Sequence, residues 1–235
     1  VPVNAFGQMI GEPLPGWTAR PLPPRSAMEG RFCRVEPLDA ARHAAQLHEA
    51  FAEASPESWT YLPDYMGPHT TPAAWRTWLE SAQAADDPLW HAIMDAGTGR
   101  AVGIGCYLRI DARSGSIEVG GLLYSRHLQK TPAATEAMYL MMRRAFDELG
   151  YRRYEWKCDH LNAPSRAAAL RLGFTFEGIF RQHMVYRGRS RDSDWFSILD
   201  GEWPRLKARF EQWLKPENFD THGKQRTGLA TFRPA

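Results

Sequence analysis

Gln129-Lys130-Thr131-Pro132-Ala133-Ala134-Thr135 links Ser116 to Tyr124, which reads as a buried strand, to the most regular helical stretch of the chain. From Ala134 to Leu149 there is neither Gly nor Pro. Met138, Met141, Met142, Ala145, Phe146 and Leu149 recur with the spacing of a helix that buries one face. Gly150 supplies the left-handed residue that commonly ends such a helix. Thr131 is placed to cap its start, and Pro132 fits the first helical position, where a missing N–H costs little. A strand running into a loop whose amides converge on a helix N-terminus can hold an anion, phosphate first of all. On these residues alone, an ordinary capped helix is the simpler reading.

Downstream, Tyr154-Glu155-Trp156-Lys157-Cys158 reads as another strand, followed by Asn162-Ala163-Pro164-Ser165-Arg166 and by Leu172-Gly173-Phe174. With these, the chain resembles the GNAT acyl-CoA N-acyltransferases, in particular the branch of the ribosomal-protein N-acetyltransferases (RimJ and RimL type). The family's pyrophosphate loop, Gln/Arg-x-x-Gly-x-Gly/Ala, is matched in register by Gln129 to Ala134. Its Asn-x-x-Ser and Leu-Gly-Phe elements are matched by Asn162, Ser165 and Leu172 to Phe174. The resemblance spans about Arg31 to Glu202 and implies an α/β fold: a mixed, mostly antiparallel central sheet flanked by helices, here with an extended N-terminal arm. It implies acetyl-CoA as acyl donor, held at Gln129, Lys130, Thr131, Pro132, Ala133, Ala134 and Thr135. The backbone of Leu122, Leu123 and Tyr124 would pair with the pantetheine arm, and Asn162 would bond its amides. Pro132 stands where the family usually has Gly, which removes one amide and stiffens the loop.

The whole chain sets looser bounds. Its 235 residues, 43% hydrophobic, suffice for one sizeable core. A formal charge of +2 gives no global field that demands nucleic acid or a membrane. Cys33, Cys106 and Cys158 are odd in number and far apart, fitting neither a disulfide scaffold nor a zinc site. Reduced thiols, no apolar run of bilayer length and no signal-peptide order at the N-terminus make a cytoplasmic protein the expectation.

Three segments are expected: an extended Pro-rich arm (1–30), a single catalytic domain (31–214) and a peripheral C-terminal tail (215–235). Phe6, Met9, Ile10, Leu14 and Trp17 are apolar enough to pin the arm across the domain. Arg31 to Glu36 alternates like a first strand, and Asp39 caps a helix from Ala40 to Ala54. Ser58 to Pro68 is a loop rich in aromatic residues; Trp59, Tyr61 and Tyr65 could bind the acceptor or simply cover the core. Thr71-Pro72 opens a second helix to Ala84. Leu89 to Met94, Ala101 to Ile110 and Ser116 to Tyr124 form a meander. After the long helix come strand Arg152 to Cys158, a short helix from Pro164 to Leu172, strands Phe174 to Tyr186 and Asp192 to Leu199, and a closing helix from Glu202 to Leu214.

Amide formation from a thioester and an amine needs a neutral amine, a polarised carbonyl and a proton for the departing thiolate. Glu118 is the candidate general base, acting through water, with a salt-bridged strand glutamate as its alternative. Alternation places it with Gly120, Leu122 and Tyr124, opposite Val119, Gly121 and Leu123, and Gly120-Gly121 suggests a bulge or a close approach. Ser165 is the candidate proton donor, by the family's example, against a role in helix capping. Where part of the family has an acidic residue on the strand after Leu-Gly-Phe, this chain has Met184, which shifts weight to Glu118. Lys130, Arg166 and Arg171 could reach phosphates, and His183 could line the acceptor cleft. Arg187, Arg189 and Arg191 could recruit an acidic acceptor or RNA, or merely solvate a turn. No metal is called for. The resulting expectation is an acetyl-CoA-dependent N-acetyltransferase that acts by direct attack in a ternary complex on a small amine or a protein N-terminus. The alternative is a CoA-binding module with little chemistry, which Pro132 and Met184 would favour. A nucleotide site without CoA lacks both the Walker Lys-Ser pair and the Gly-x-Gly-x-x-Gly run. The resemblance also allows a homodimer, although no residue compels one.

Overall fold

A computed structural model describes residues 1–221 and 223–232. Eight strands form one sheet: β1 (Met28–Glu29), β2 (Cys33–Pro37), β3 (Leu89–Asp95), β4 (Ala101–Asp111), β5 (Ser116–Tyr124), β6 (Arg153–Asp159), β7 (Thr175–Tyr186) and β8 (Arg189–Leu199). Their order is β1-β2-β3-β4-β5-β6-β8-β7. Every pairing is antiparallel except β5 with β6, the two strands joined by the long helix, as a crossover connection requires. Five α-helices flank the sheet: α1 (Ala40–Ala50), α2 (Pro72–Ala84), α3 (Pro132–Arg143), α4 (Ala163–Leu172) and α5 (Trp203–Trp213). This is the expected mixed, mostly antiparallel architecture, with the two-residue β1 added from the end of the arm.

The sheet buries both faces. On one side α3 and α5 cover Val35, Ile93, Tyr107, Ile117, Val119 and Ile198. On the other, α1 and α2 bring Leu47, Trp75 and Leu79 against Trp90, Ala92, Ile104 and Leu123. The caps read from sequence are present. Asp39 accepts from the Arg42 amide, Thr71 from Ala74 and Thr131 from Ala134. The long helix differs from its expected form: after Arg143 it widens into a π turn over Arg144–Glu148 before left-handed Gly150 ends it. That turn carries the buried Arg144, whose guanidinium donates to the carbonyls of Ser26 (2.6 Å) and Ala27 (3.0 Å) and pairs with Glu148. It thereby pins the arm where β1 begins.

Further out, the arm is held by polar contacts more than by the apolar residues expected to pin it. Trp17 donates to the Arg113 carbonyl, Arg20 to Ala112, and Arg25 to Gln83 and Ala85. Phe6, Met9, Ile10 and Leu14 are exposed. Asn4 organises a small local hairpin, its carboxamide accepting from the Phe6 and Gln8 amides, and that hairpin satisfies the backbone without docking. The tail is not peripheral, because Phe219 and Leu229 are buried in the α3–α5 core and Trp213 donates to the Thr227 carbonyl. Residues 222 and 233–235 of that segment lie outside the described residues.

One core group makes stability pH-dependent. His91, on β3, is fully buried against Tyr107, and among the described residues no side chain hydrogen-bonds either ring nitrogen. Burial, reinforced by the charge of Arg144, lowers its pKa from 6.5 to about 4. Between those values the unfolded chain binds the proton and the folded one does not. Stability is therefore intact above pH 6.5 and falls as pH drops toward 4, by roughly 3 kcal/mol in all. Urea unfolding across this window should show the slope, and His91→Phe should flatten it. Any slope left belongs in part to buried His43, whose pKa is lowered in the same direction by burial.

Candidate functional site

The site begins where two parallel strands part. β5 and β6 pair only from Ser116–Arg153 to Val119–Trp156. From Gly120 onward, the β5 edge toward β6 carries no ladder. The cause is local: Cys106 lies opposite Gly120 but Ile104 opposite Leu123, so β5 holds one extra residue. Gly121 sits in that bulge at φ +58°, and a Cβ there would stand 2.5 Å from the Trp90 ring. Only glycine fits. The bulge also corrects the simple alternation, since Val119 packs in the α3 layer whereas Leu123 packs in the α1–α2 layer.

A cavity of about 190 Å³ opens at the fork. One wall comes from Glu118 to Leu122 of β5 and another from Trp156 to Asp159 of β6. Asn162, Ser165, Tyr61, Tyr65, Trp90, His183 and Arg191 also line it. Glu118 is buried between two cations, with Arg109 Nη1 2.8 Å from one oxygen and Lys157 Nζ 2.9 Å from the other. Lys157 is itself nearly buried; it pairs with Glu155 and lies 3.6 Å over the Trp195 ring. Asp159 accepts from the Tyr186 hydroxyl (2.7 Å) and the Leu161 amide. Burial and that hydrogen bond push the Tyr186 pKa up to about 12. Neither Lys157 nor Asp159 stood out in the sequence, because their setting depends on a strand pairing that no local pattern encodes.

The aromatic loop divides. Tyr61 and Tyr65 line the cavity, and Tyr61 donates to the Leu161 carbonyl at 3.0 Å. Trp59 does not line it: it is buried against Phe51 and Gly67, as a cover for the core. Arg187 ties this loop to the β7–β8 turn through the Leu62 and Gly67 carbonyls and Asp64. The arginine cluster is thus split, with Arg187 serving as a latch and Arg191 facing the cavity. His183 Nδ1 lies 2.9 Å from the Ser193 hydroxyl. Burial, then the charges of Arg191, Arg109 and Lys157, lower the His183 pKa.

At the other end of β5, the loop before α3 is tightly organised. Gln129 donates its side-chain amide to the Tyr124 carbonyl at 2.8 Å, and Lys130 adopts φ +60°. The Thr131 amide is turned to the Leu128 carbonyl and the Ala134 amide to the Thr131 hydroxyl, while Pro132 has none. Among the described residues, nothing accepts from the amides of Lys130 or Ala133. The anion cradle is accordingly smaller than the sequence suggested. Arg171, from the end of α4, reaches the same place and donates to the Thr135 hydroxyl at 3.2 Å.

Residues 34–175 match the family described as acetyltransferase (GNAT) domain. The chain belongs to the GNAT acetyltransferase family. The crystal structure of a GCN5-related N-acetyltransferase from Brucella melitensis is similar to this GNAT chain at 48% identity and a TM-score of 0.91, covering 94% of this chain and all of the other. A probable GNAT-family acetyltransferase from Chromobacterium violaceum ATCC 12472 is similar at 41% identity and a TM-score of 0.77, over 84% of this chain and 98% of its own. A putative ribosomal-protein-serine acetyltransferase from Vibrio cholerae shares only 17% identity at a TM-score of 0.63, over 74% of this chain and 97% of its own, a likeness of fold alone. No curated protein matches the chain in sequence.

Within the GNAT fork, Asn162 caps α4 by accepting from the Ser165 amide, so Ser165 is not the cap. The Ser165 hydroxyl accepts from Trp156 Nε1 at 3.0 Å and lies within hydrogen-bond reach of the Cys158 sulfur. Arg166 does not turn toward the loop before α3. Its guanidinium bonds the fully buried Asp194 beside His160, because leaving that carboxylate unpaired would cost more than an exposed contact returns. Cys158 is buried, and burial raises its pKa, as suits packing rather than acyl transfer. Among the described residues, no helix is long and apolar enough to cross a membrane.

Proposed function

We propose that this GNAT acetyltransferase moves the acetyl group of acetyl-CoA to a primary amine by direct attack in a ternary complex. The observation that carries the reading is the fork itself: β5 and β6 part at Val119 and Trp156, with free amides of the α3 loop at one end and Glu118 with Ser165 at the other. In this reading the Lys130 and Ala133 amides, the start of α3 and Arg171 hold the diphosphate. The open β5 edge from Gly120 to Tyr124 hydrogen-bonds the pantetheine arm as an added strand would. The acetyl carbonyl then lies against the bulge, where a backbone N–H supports its developing charge.

The amine forms the C–N bond as the C–S bond breaks. Its proton passes through water to the Glu118 carboxylate, which Arg109 and Lys157 hold in place. The departing thiolate takes a proton through the Ser165 hydroxyl, which is reprotonated through water by the proton the amine has released. The products are the amide and the free thiol, with Glu118 and Ser165 restored. The Arg187 latch and the Tyr61 contact narrow the mouth, which favours a small amine over a protein N-terminus and so speaks against a ribosomal-protein branch. A cytoplasmic location, a single domain over 31–214 with arm and tail packed on it, and a homodimer are part of the same proposal.

Thiol release from acetyl-CoA over a panel of primary amines tests it. Amine-dependent release is the expected result, and CoA binding with no release above hydrolysis would overturn it. Glu118→Gln should lower kcat at least about tenfold, some 1.4 kcal/mol of barrier, with CoA affinity little changed. Unaltered turnover across pH would remove Glu118 from the mechanism.

A further inference from the structure

The charge of the acceptor cavity narrows the substrate class. Two carboxylates line it, and both are engaged: Glu118 by Arg109 and Lys157, Asp159 by Tyr186 and the Leu161 amide. Arg191 differs from the other cations there. Its Nε donates to the Ser193 hydroxyl at 3.0 Å, and its guanidinium lies 5.7 Å over the Tyr186 ring. Among the described residues it has no carboxylate within ion-pair reach. A half-buried guanidinium at a cavity wall, steadied on a ring and a hydroxyl but lacking an anion, is a receptor with a vacant counter-charge.

From this we infer that the acceptor is an amino acid or similar amine that carries a carboxylate on a small apolar body, with Arg191 as the residue that selects the carboxylate. The inference rests on the acetyl-transfer reading above and deepens it. Tyr61, Tyr65, Met66 and Trp90 supply the apolar wall, and a cavity of about 190 Å³ that must also take the acetyl end of the donor leaves room only for a small body. Arg191 shares this wall with Arg109 and Lys157, and burial followed by those three charges lowers the His183 pKa. Such a wall repels polyamines and aminoglycosides, which bring further positive charge. One unpaired guanidinium matches a monoanionic carboxylate in charge and in its planar fork; a dianionic phosphate would need a second cation.

The test is steady-state acetylation of matched pairs, phenylalanine and leucine against their carboxamides, with wild type and Arg191→Met. The free acids should show kcat/KM at least about tenfold above the amides. Arg191→Met should raise KM for the acids at least about tenfold and change that of the amides less than about twofold, with Arg191→Lys restoring part of the difference. Preference for the amides or for cationic amines overturns the inference. So does the absence of turnover of either acid by protein that binds CoA calorimetrically. Failure to bind CoA at all would overturn the acetyl-CoA reading first, and this inference with it.

Discussion

Glu136→Ala is expected to cost at least about 3 kcal/mol of folding stability, a large fraction of the roughly 5–15 kcal/mol that holds a domain together. Glu136 is buried on the first turns of α3, and its carboxylate accepts three backbone amides from the entrance to β2. One oxygen takes Arg31 at 2.8 Å; the other takes Phe32 at 2.6 Å and Cys33 at 2.9 Å. Alanine removes all three acceptors and leaves the donors in a site too tight to admit replacements easily; Gly30 lies so close that a Cβ there would stand 2.4 Å from the carboxylate. Hydrogen bonds to a charged group are each worth about 1.5–3 kcal/mol, and a buried donor left unmade carries its own penalty. Urea unfolding should therefore show a lower midpoint at unchanged m, with Glu136→Gln intermediate. A loss under 1 kcal/mol would mean that this carboxylate is not what ties the helix to the first long strand.

The second large effect concerns the phosphate loop. Pro132→Asp places a carboxylate at the first position of α3, where it suits the helix macrodipole, so folding should change by less than about 1 kcal/mol. The same charge stands beside the free amides that the account assigns to the diphosphate. Two unit charges about 4 Å apart near a protein surface repel by about 4 kcal/mol. Even half of that weakens CoA binding some thirtyfold, and the expected loss is about 100-fold. Pro132→Gly separates charge from backbone, because it restores an N–H without adding a negative group. That variant should bind CoA at least as tightly as the wild type.

Much of this was legible in the residues, and what was hidden has a common cause. The caps at Asp39, Thr71 and Thr131 could be read because capping is settled within three residues. The bulge at Gly120-Gly121 could be suspected from the pair of glycines, but not its consequence. One inserted residue sends Leu123 to the opposite layer from Val119, and only the register against β4 shows it. Glu136, Lys157 and Asp194 are buried charges whose partners lie far along the chain, at Arg31 to Cys33, Glu118 and Arg166. Local periodicity reports a buried face, not which distant amide or cation meets it. The same limit explains Arg166, a candidate phosphate ligand found on Asp194, and Trp59, for which the sequence left acceptor binding and core cover open and which lies under the loop. Phe6, Met9, Ile10 and Leu14 show the converse: apolar composition suggested docking, while a self-satisfied turn around Asn4 keeps them at the surface.

Everything assigned to the fork depends on whether the loop before α3 holds a diphosphate. The direct measurement is isothermal calorimetry of coenzyme A into the wild-type protein and Pro132→Asp under identical conditions. Saturable binding at one site in the wild type, weakened about 100-fold in Pro132→Asp, is the predicted result. No heat in the wild type, or equal affinity in the two proteins, would contradict it.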